Sequence, residues 1–148
     1  MVIEITHRQT RYRIDEERLR AYAFGIMQQV AACTPDIAWR ELSLVLTDDG
    51  IQELNREWFG KDRTTDVISF AYPDDGTGEV ILNLQQAMEE GALRESPDEE
   101  LALYLAHGCH HLTGAEDDTP KKKEAMLTQE HQWVEEAKRA GLAGGFFQ

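Results

Sequence analysis

The stretch SPDEELALYLAHGCHHLTG, residues 96–114, decides the fold because it contains the start, the interior and the end of one amphipathic helix. Ser96-Pro97-Asp98-Glu99 forms a capping box with proline at the first helical position. Gly114 is typical of the residue just beyond a helix end, so the helix is predicted to run to about Thr113. The residues at helical spacing within it form an apolar stripe: Leu101, Tyr104, Leu105, Cys109 and Leu112.

Other apolar segments have the patterns of strands, with amphipathic segments between them. The predicted strands are residues 2–5, 41–46, 66–72 and 78–84, and residues 12–14 are interpreted as beginning or ending a partner strand of the first. Further helices are predicted from Asp15 onward, over residues 47–60, and from about Asp118-Thr119-Pro120 onward. This order predicts a single α+β domain over residues 1–148, with one mixed sheet of about four strands and helices packed on it.

The composition is that of a soluble globular protein, with 148 residues, 41% hydrophobic and 29% charged. No apolar run approaches the ~20 residues that span a bilayer. We expect a cytoplasmic location, because the N-terminus has no basic and then apolar segment and the two cysteines, Cys33 and Cys109, form no disulfide framework. The net charge of −13 argues against binding nucleic acid by bulk electrostatics, so any phosphate contact must be local.

Two histidines of the central helix form a candidate metal site. His107 and His111 are one helical turn apart and lie about 40° from each other around the axis, at the edge of the apolar stripe. Two imidazoles with this spacing can converge on one divalent ion. We expect His110, between them in sequence, to point away from the pair into solvent.

Acidic residues after the helix can complete such a site. Beyond Gly114 the chain continues with Glu116, Asp117 and Asp118, which can fold back over the helix end. Two histidines and one carboxylate, with an open position, make up the ligand set of a catalytic zinc site. We expect Asp118 or Thr119 to cap the next helix. Asp118 is interpreted as a solvated residue of the turn before that helix, which leaves Asp117 or Glu116 for the metal.

Gly108, the residue after the first histidine of the pair, bears on whether the site could hydrolyse peptides. In zinc peptidases with two histidines at this spacing, the residue after the first histidine is a glutamate that acts as general base. Gly108 occupies that position here. Peptide hydrolysis by that mechanism is therefore disfavoured.

The histidine motif resembles that of a known family. His107-Gly108-x-x-His111-Leu112-x-Gly114, an acidic turn, and then Glu124-x-Met126-x-x-x-Glu130 resemble the metal-binding motif of the YbeY family of bacterial endoribonucleases. Residues 54–55, 65–70 and 78–83 resemble further blocks of that family, in the same order. The resemblance covers about residues 40–135.

The resemblance implies one α+β domain with one zinc-type ion at the mouth of a cleft, at the end of the central helix. The family's usual pattern, His-x3-His-x5-His, places its third ligand at Asp117, so the implied metal ligands and catalytic residues are His107, His111 and Asp117. The implied activity is cleavage of single-stranded RNA, in maturation of the 16S ribosomal RNA 3′ end and in ribosome quality control. The implied partners are ribosomal RNA and the small ribosomal subunit or its assembly factors, without DNA or membrane.

One position departs from the family pattern. The family commonly has an arginine facing the metal shortly before the 65–70 block, where this chain has Phe59. Three basic residues near it are candidate RNA contacts that could supply the cation: Arg56, Lys61 and Arg63. On the last helix, Glu130 is interpreted either as a buried carboxylate that orients a ligand histidine from behind or as a partly solvated side chain.

Two other functions are left open by the sequence. A metal-bearing ribosome assembly factor with little nuclease activity is favoured by Phe59 and by the acidic net charge. A metallohydrolase of a small substrate or peptide is disfavoured by Gly108. Cleavage of single-stranded RNA by the metal-loaded protein discriminates between the first of these and the endoribonuclease.

Overall fold

The computed structural model describes residues 1–61 and 65–148, which contain four strands and five helices. The strands are β1 Val2–His7, β2 Glu41–Thr47, β3 Val67–Tyr72 and β4 Thr77–Asn83. The helices are α1 Glu16–Cys33, α2 Ile51–Phe59, α3 Leu84–Leu93, α4 Pro97–His111 and α5 Pro120–Arg139. None of these helices combines the length and the apolar character that a membrane crossing requires.

The four strands form one mixed sheet in the order β1-β2-β4-β3. β1, β2 and β4 are parallel neighbours, and β3 pairs antiparallel with β4. Parallel neighbours need a crossover, which α1 supplies between β1 and β2, whereas a tight turn at residues 73–76 suffices between β3 and β4. The predicted α+β class and mixed four-stranded sheet are confirmed.

Helix α4 is the central element of the core. It contacts β3, β4, α1, α3 and α5. Leu101, Leu105 and Cys109 are completely buried, as the apolar stripe predicts. From α1, the buried Tyr22 hydroxyl donates a hydrogen bond to the Ala102 carbonyl at 2.6 Å. Packing from several directions therefore fixes the position of α4 in the fold.

Gly108 lets α4 approach the sheet closely. A Cβ atom at this position would lie 2.7 Å from Val67 Cγ2 and 2.7 Å from Val80 Cγ1, well inside van der Waals contact. Ser69 of β3 donates its hydroxyl hydrogen to the Gly108 carbonyl at 2.7 Å, which satisfies one of the free carbonyls in the last turn of the helix. The glycine that disfavours a peptidase mechanism therefore has a packing role.

The structure differs from the predicted elements in three places. Residues 12–14 do not pair with β1, whose partner is β2, and Ile14 forms an isolated bridge with Phe147 instead. Helix α2 begins at Ile51 rather than at Thr47, because Thr47 ends β2 and a turn at residues 48–50 precedes the helix. Helix α3 has no predicted counterpart, because Asn83 both ends β4 and caps α3, accepting a hydrogen bond from Gln86 N at 3.0 Å, with no turn residue between the two elements.

Replacing Gly108 with alanine should destabilise the fold relative to the matched replacement of Gly25 in α1. Both changes gain about 1 kcal/mol of helix propensity. The Cβ at position 25 meets its nearest atom at 3.4 Å, an ordinary contact. Urea denaturation should therefore give Gly108→Ala a free energy of unfolding about 1–3 kcal/mol below that of Gly25→Ala. Equal stabilities would contradict the close approach of α4 to the sheet.

Candidate metal centre

The end of α4 and the turn behind it bring together three side chains that could hold a metal ion. His107 and His111 lie in the last two turns of α4. The chain reverses at Gly114, whose φ of 87° is readily adopted only by glycine. Asp117 then returns to the helix end, with its carboxylate beside both imidazoles.

Thr119 is the cap of α5, which is one of the two alternatives that the sequence left open. Thr119 Oγ1 accepts a hydrogen bond from Lys122 N at 3.2 Å, because proline at the first helical position makes the residue before it the cap. Asp118 instead pairs with Lys122 Nζ at 3.2 Å, and a carboxylate oxygen of Glu116 lies 3.7 Å from the same atom. Asp117 is the acidic residue of this turn that meets the histidines.

Three ligand atoms converge with the spacing that a tetrahedral metal requires. His107 Nε2 lies 3.1 Å from His111 Nε2. Asp117 Oδ2 lies 3.4 Å from His107 Nε2 and 3.7 Å from His111 Nε2. Zinc bonds of about 2.0–2.2 Å in tetrahedral geometry place ligand atoms roughly 3.3–3.6 Å apart. The donor set and its spacing therefore fit a divalent ion of the zinc type.

The second nitrogen of each ring decides which atom is available to a metal. His111 Nδ1 lies 2.9 Å from the Ala115 carbonyl oxygen, which can only accept a hydrogen bond. His107 Nδ1 lies 2.8 Å from Glu130 Oε1. In neutral rings each Nδ1 therefore carries the hydrogen, and the lone pairs of the two Nε2 atoms face each other at 3.1 Å. The two lone pairs repel each other, so a proton or a metal cation between the two atoms would stabilise the arrangement.

Glu130 of α5 binds two histidines of α4 at once. Its buried carboxylate meets His107 through Oε1 and His110 through Oε2, the latter at 2.7 Å from Nδ1. The prediction that His110 points into solvent is therefore wrong. Residues three apart on a helix are only about 60° apart, so His110 shares a flank with His107. Its ring packs on Trp133 of α5, with ring centroids 4.8 Å apart.

His107 and Glu130 each shift the pKa of the other towards its charged form. Burial alone would lower the pKa of His107, but the hydrogen bond and the negative charge of Glu130 raise it above its ordinary value, and the charges of Asp66 and Asp117 add to this. Burial alone would raise the pKa of Glu130, but its hydrogen bonds with His107 and His110 lower it below its ordinary value. Glu130 is therefore an ionised acceptor at neutral pH, and a cation is favoured at His107.

The three ligand side chains line a cleft of about 550 Å³. Phe59, Lys61, Asp66 and Ser69 line the same cleft. Asp66 lines the cleft although the sequence does not predict it as a site residue, since its position in the 65–70 block is its only signal. Its Oδ1 accepts the backbone N–H of Val67 at 2.9 Å, and its charge acts on the metal centre through His107.

Two of the three basic residues predicted to contact RNA, Lys61 and Arg56, lie among the described residues and line different pockets. Lys61 lines the cleft. Arg56 lines a separate pocket with Arg8, and its guanidinium lies 3.8 Å from Glu53. Arg63 lies outside the described residues. Among the described residues that line the cleft, Lys61 is the only lysine or arginine.

The fold and site together define a class: a small α+β protein whose buried central helix ends in a two-histidine, one-carboxylate centre. The family model described as Endoribonuclease YbeY matches residues 4–138. The chain therefore belongs to the endoribonuclease YbeY family, as the sequence motifs predict.

Curated relatives agree with this membership, and one solved structure shares the fold. Endoribonuclease YbeY of Geobacter sulfurreducens is 36% identical over 135 residues, which are 84% of this chain and 87% of that protein. The Geobacter metallireducens protein of the same name is 35% identical over 156 residues, 96% of this chain and 99% of that one. The Myxococcus xanthus protein is longer, and its 42% identity over 109 residues covers 65% of this chain and 36% of that one. A Thermotoga maritima solution structure has the same fold, with a TM-score of 0.61, 22% identity and 95% and 94% of the two chains covered.

Replacing Asp117 with alanine should weaken zinc binding by about 10–100-fold or more, because a direct ligand is removed. Asp118→Ala is the matched control, since it removes the neighbouring carboxylate and only an exposed ion pair with Lys122. Zinc titration against a competing chelator measures both. Loss of zinc in Asp118→Ala with retention in Asp117→Ala would place the ligand one residue further along the chain.

Glu130→Gln should weaken zinc binding by about 10–100-fold while the chain remains folded. The amide has one oxygen in place of two and cannot accept from both His107 and His110, so one ring loses the acceptor that orients it. His131→Gln, at the next and exposed position, should bind zinc as the unmodified protein does. The same competition with a chelator measures the zinc affinity of both variants. An unchanged zinc affinity in a folded Glu130→Gln would show that Glu130 does not orient the histidine.

Proposed function

We propose that this protein is a zinc-dependent endoribonuclease that cleaves single-stranded RNA. The observation that carries the proposal is the convergence of His107 Nε2, His111 Nε2 and Asp117 Oδ2 on one point in an open cleft. The membership of the chain in a family of endoribonucleases supplies the substrate class. The matched segment, residues 4–138, includes all three of these side chains.

In this proposal the residues of the site have separate tasks. His107, His111 and Asp117 hold the ion, and Glu130 keeps His107 in the tautomer that presents Nε2. A zinc ion bound there would polarise the phosphoryl group and lower the pKa of a bound water molecule. Three protein ligands leave a fourth position open to substrate, as in other catalytic zinc sites. Because Asp117 is anionic, the centre has a lower positive charge than one with three neutral histidines.

The substrate would be ribosomal RNA, bound with the help of a further partner. The net charge of −13 opposes strong attraction of free RNA. Lys61 offers a local phosphate contact in the cleft. We therefore assign the protein to maturation of the 16S ribosomal RNA 3′ end and ribosome quality control in the cytoplasm, where the small subunit or an assembly factor would position the RNA.

A ribosome assembly factor with little nuclease activity is the second candidate. It is favoured by Phe59, which lines the cleft where the family commonly has an arginine. Phosphoryl transfer gains much of its rate from cations that stabilise the developing charge, and Lys61 is the only lysine or arginine among the described cleft residues. A small-substrate or peptide hydrolase is less favoured, since the packing at Gly108 excludes the glutamate of the zinc peptidases.

The zinc-loaded protein should cleave a single-stranded oligoribonucleotide and leave the same sequence intact in a duplex. His111→Ala should lower the cleavage rate by about 100-fold or more, because several kcal/mol of metal-based stabilisation is lost. His131→Ala, which removes an exposed histidine, should cleave at the unmodified rate. Gel analysis of labelled RNA measures the cleavage rates of the unmodified protein and of both variants, with a chelated sample as the control. Cleavage that survives chelation and His111→Ala would refute the proposal, and absence of cleavage by a zinc-loaded protein would favour the assembly factor.

The cellular role has its own test. In a strain without this protein, sequencing of ribosomal RNA ends should show 16S ribosomal RNA with unprocessed 3′ ends, and the unmodified protein should restore them. His111→Ala should not restore them, whereas His131→Ala should. Normal 3′ ends in the deletion strain would contradict the assignment to 16S maturation without affecting the proposed cleavage chemistry.

A further inference from the structure

Three aromatic side chains meet at the end of α2 and on β3, and we call them the aromatic ledge: Trp58, Phe59 and Phe70. The rings of Phe59 and Phe70 are nearly parallel, with an angle of 11° and centroids 6.0 Å apart. Trp58 meets Phe70 edge to face at 5.6 Å. Despite these contacts Trp58 is 62% exposed and Phe59 is 49% exposed. The ledge therefore holds its rings in fixed orientations while leaving much of their surface in water.

The ledge reaches the cleft of the metal centre through Phe59. Phe59 lines the same cleft as His107, His111 and Asp117. Phe70 anchors the ledge, because it packs against the small apolar cluster under α2. A flat ligand that stacks on Phe59 would therefore lie in the cleft beside the metal ligands.

The charges of the cleft favour a stacking contact over a phosphate contact at this wall. Asp66, Glu116 and Asp117 line the cleft together with Lys61, so acidic groups outnumber the lysine and arginine side chains among its described residues. A phosphate at this wall would gain little from such a field. Stacking of a nucleobase on an aromatic ring needs no net charge and is tolerant of sequence.

We propose that the aromatic ledge binds an unpaired nucleobase of the RNA and so selects single-stranded substrate. This inference rests on the proposed function, since it names how the same cleft would hold its substrate. A base in a duplex has both faces covered by its neighbours and cannot stack on Phe59, whereas an unpaired base can. Phe59 thus occupies the cleft position where an arginine would contact a phosphate of the RNA. Stacking on a base replaces part of the electrostatic binding of the RNA.

The test compares removal of the ring with removal of the base. Zinc-loaded full-length protein is titrated with a labelled 2′-O-methyl single-stranded oligonucleotide, or with the same oligonucleotide carrying abasic sites, and binding is followed by fluorescence anisotropy. Phe59→Leu keeps an apolar side chain but removes the aromatic face, and Phe59→Trp restores a ring. Phe24→Leu is the matched control, because Phe24 is 43% exposed on α1 and lines a different pocket.

Phe59→Leu should bind the intact oligonucleotide about 5- to 150-fold more weakly, and Trp58→Leu should weaken binding in the same direction. Phe59→Trp and Phe24→Leu should bind as the unmodified protein does. The abasic oligonucleotide should bind the unmodified protein and Phe59→Leu equally. The effect of Phe59→Leu should be similar at low and moderate salt, because stacking, unlike phosphate binding, releases no counterions.

Equal affinity of folded Phe59→Leu and the unmodified protein for the intact oligonucleotide would overturn the inference. An equal loss with the abasic oligonucleotide would also overturn it, since the ring would then support the cleft rather than contact a base. A ledge that instead mediates a protein contact would appear in sedimentation as self-association that Trp58→Leu abolishes, again against the inference. RNA cleavage by the unmodified protein is measured separately, so failure of the ledge is distinguishable from failure of the proposed function.

Discussion

The contact between α4 and the sheet at Gly108 determines where the rest of the site can lie. Two valine side chains, from β3 and β4, leave no space for a Cβ atom there, and Ser69 holds the Gly108 carbonyl. The helix therefore has one depth and one rotation against the sheet. His107 lies one residue before the glycine and His111 three residues after it. The rotation of the helix therefore directs both side chains to the cleft, while the apolar stripe faces the core.

The other residues of the site come from separate parts of the chain. The turn at Gly114 returns Asp117 to the histidines, and docking of α5 brings Glu130 behind His107. The end of α2 supplies Phe59 to the same cleft. Orientation of one ligand histidine thus depends on the packing of a distant helix, so metal binding and folding of α5 are coupled in this account. The negative charges of Asp117 and Glu130 favour a cation between the rings.

Features with a local cause could be predicted from the sequence. The capping box at Ser96 fixes the start of α4, where Ser96 Oγ accepts the Glu99 N–H at 3.1 Å, and Gly114 marks the reversal after it. Helical periodicity places His107 and His111 on one face. Residue spacing left Asp117 and Glu116 as alternatives, and the family motif selected Asp117, which is the one that meets the histidines.

Features that depend on tertiary contacts could not be predicted. Helix geometry places His110 on the flank of His107, but its partners could not be predicted, because only the packing of α5 brings Glu130 and Trp133 against it. Asp66 carries no signal of its own beyond its motif. Helix α3 follows β4 without a break, since Asn83 belongs to both elements, and no turn residue announces the change. Ile14 pairs with the distant Phe147, which no periodicity around residues 12–14 could indicate.

X-ray absorption spectroscopy of the zinc-loaded protein tests the central claim most directly, because it reports the atoms bound to the metal. We predict two imidazole nitrogens at about 2.0–2.1 Å, one carboxylate oxygen at about 2.0–2.2 Å and a further light atom from solvent. The multiple-scattering pattern of two imidazole rings should be present, and Asp117 should contribute through one oxygen. A sulfur atom at about 2.3 Å, which would implicate Cys109 or Cys33, or a shell of oxygen alone would contradict a centre built from His107 and His111.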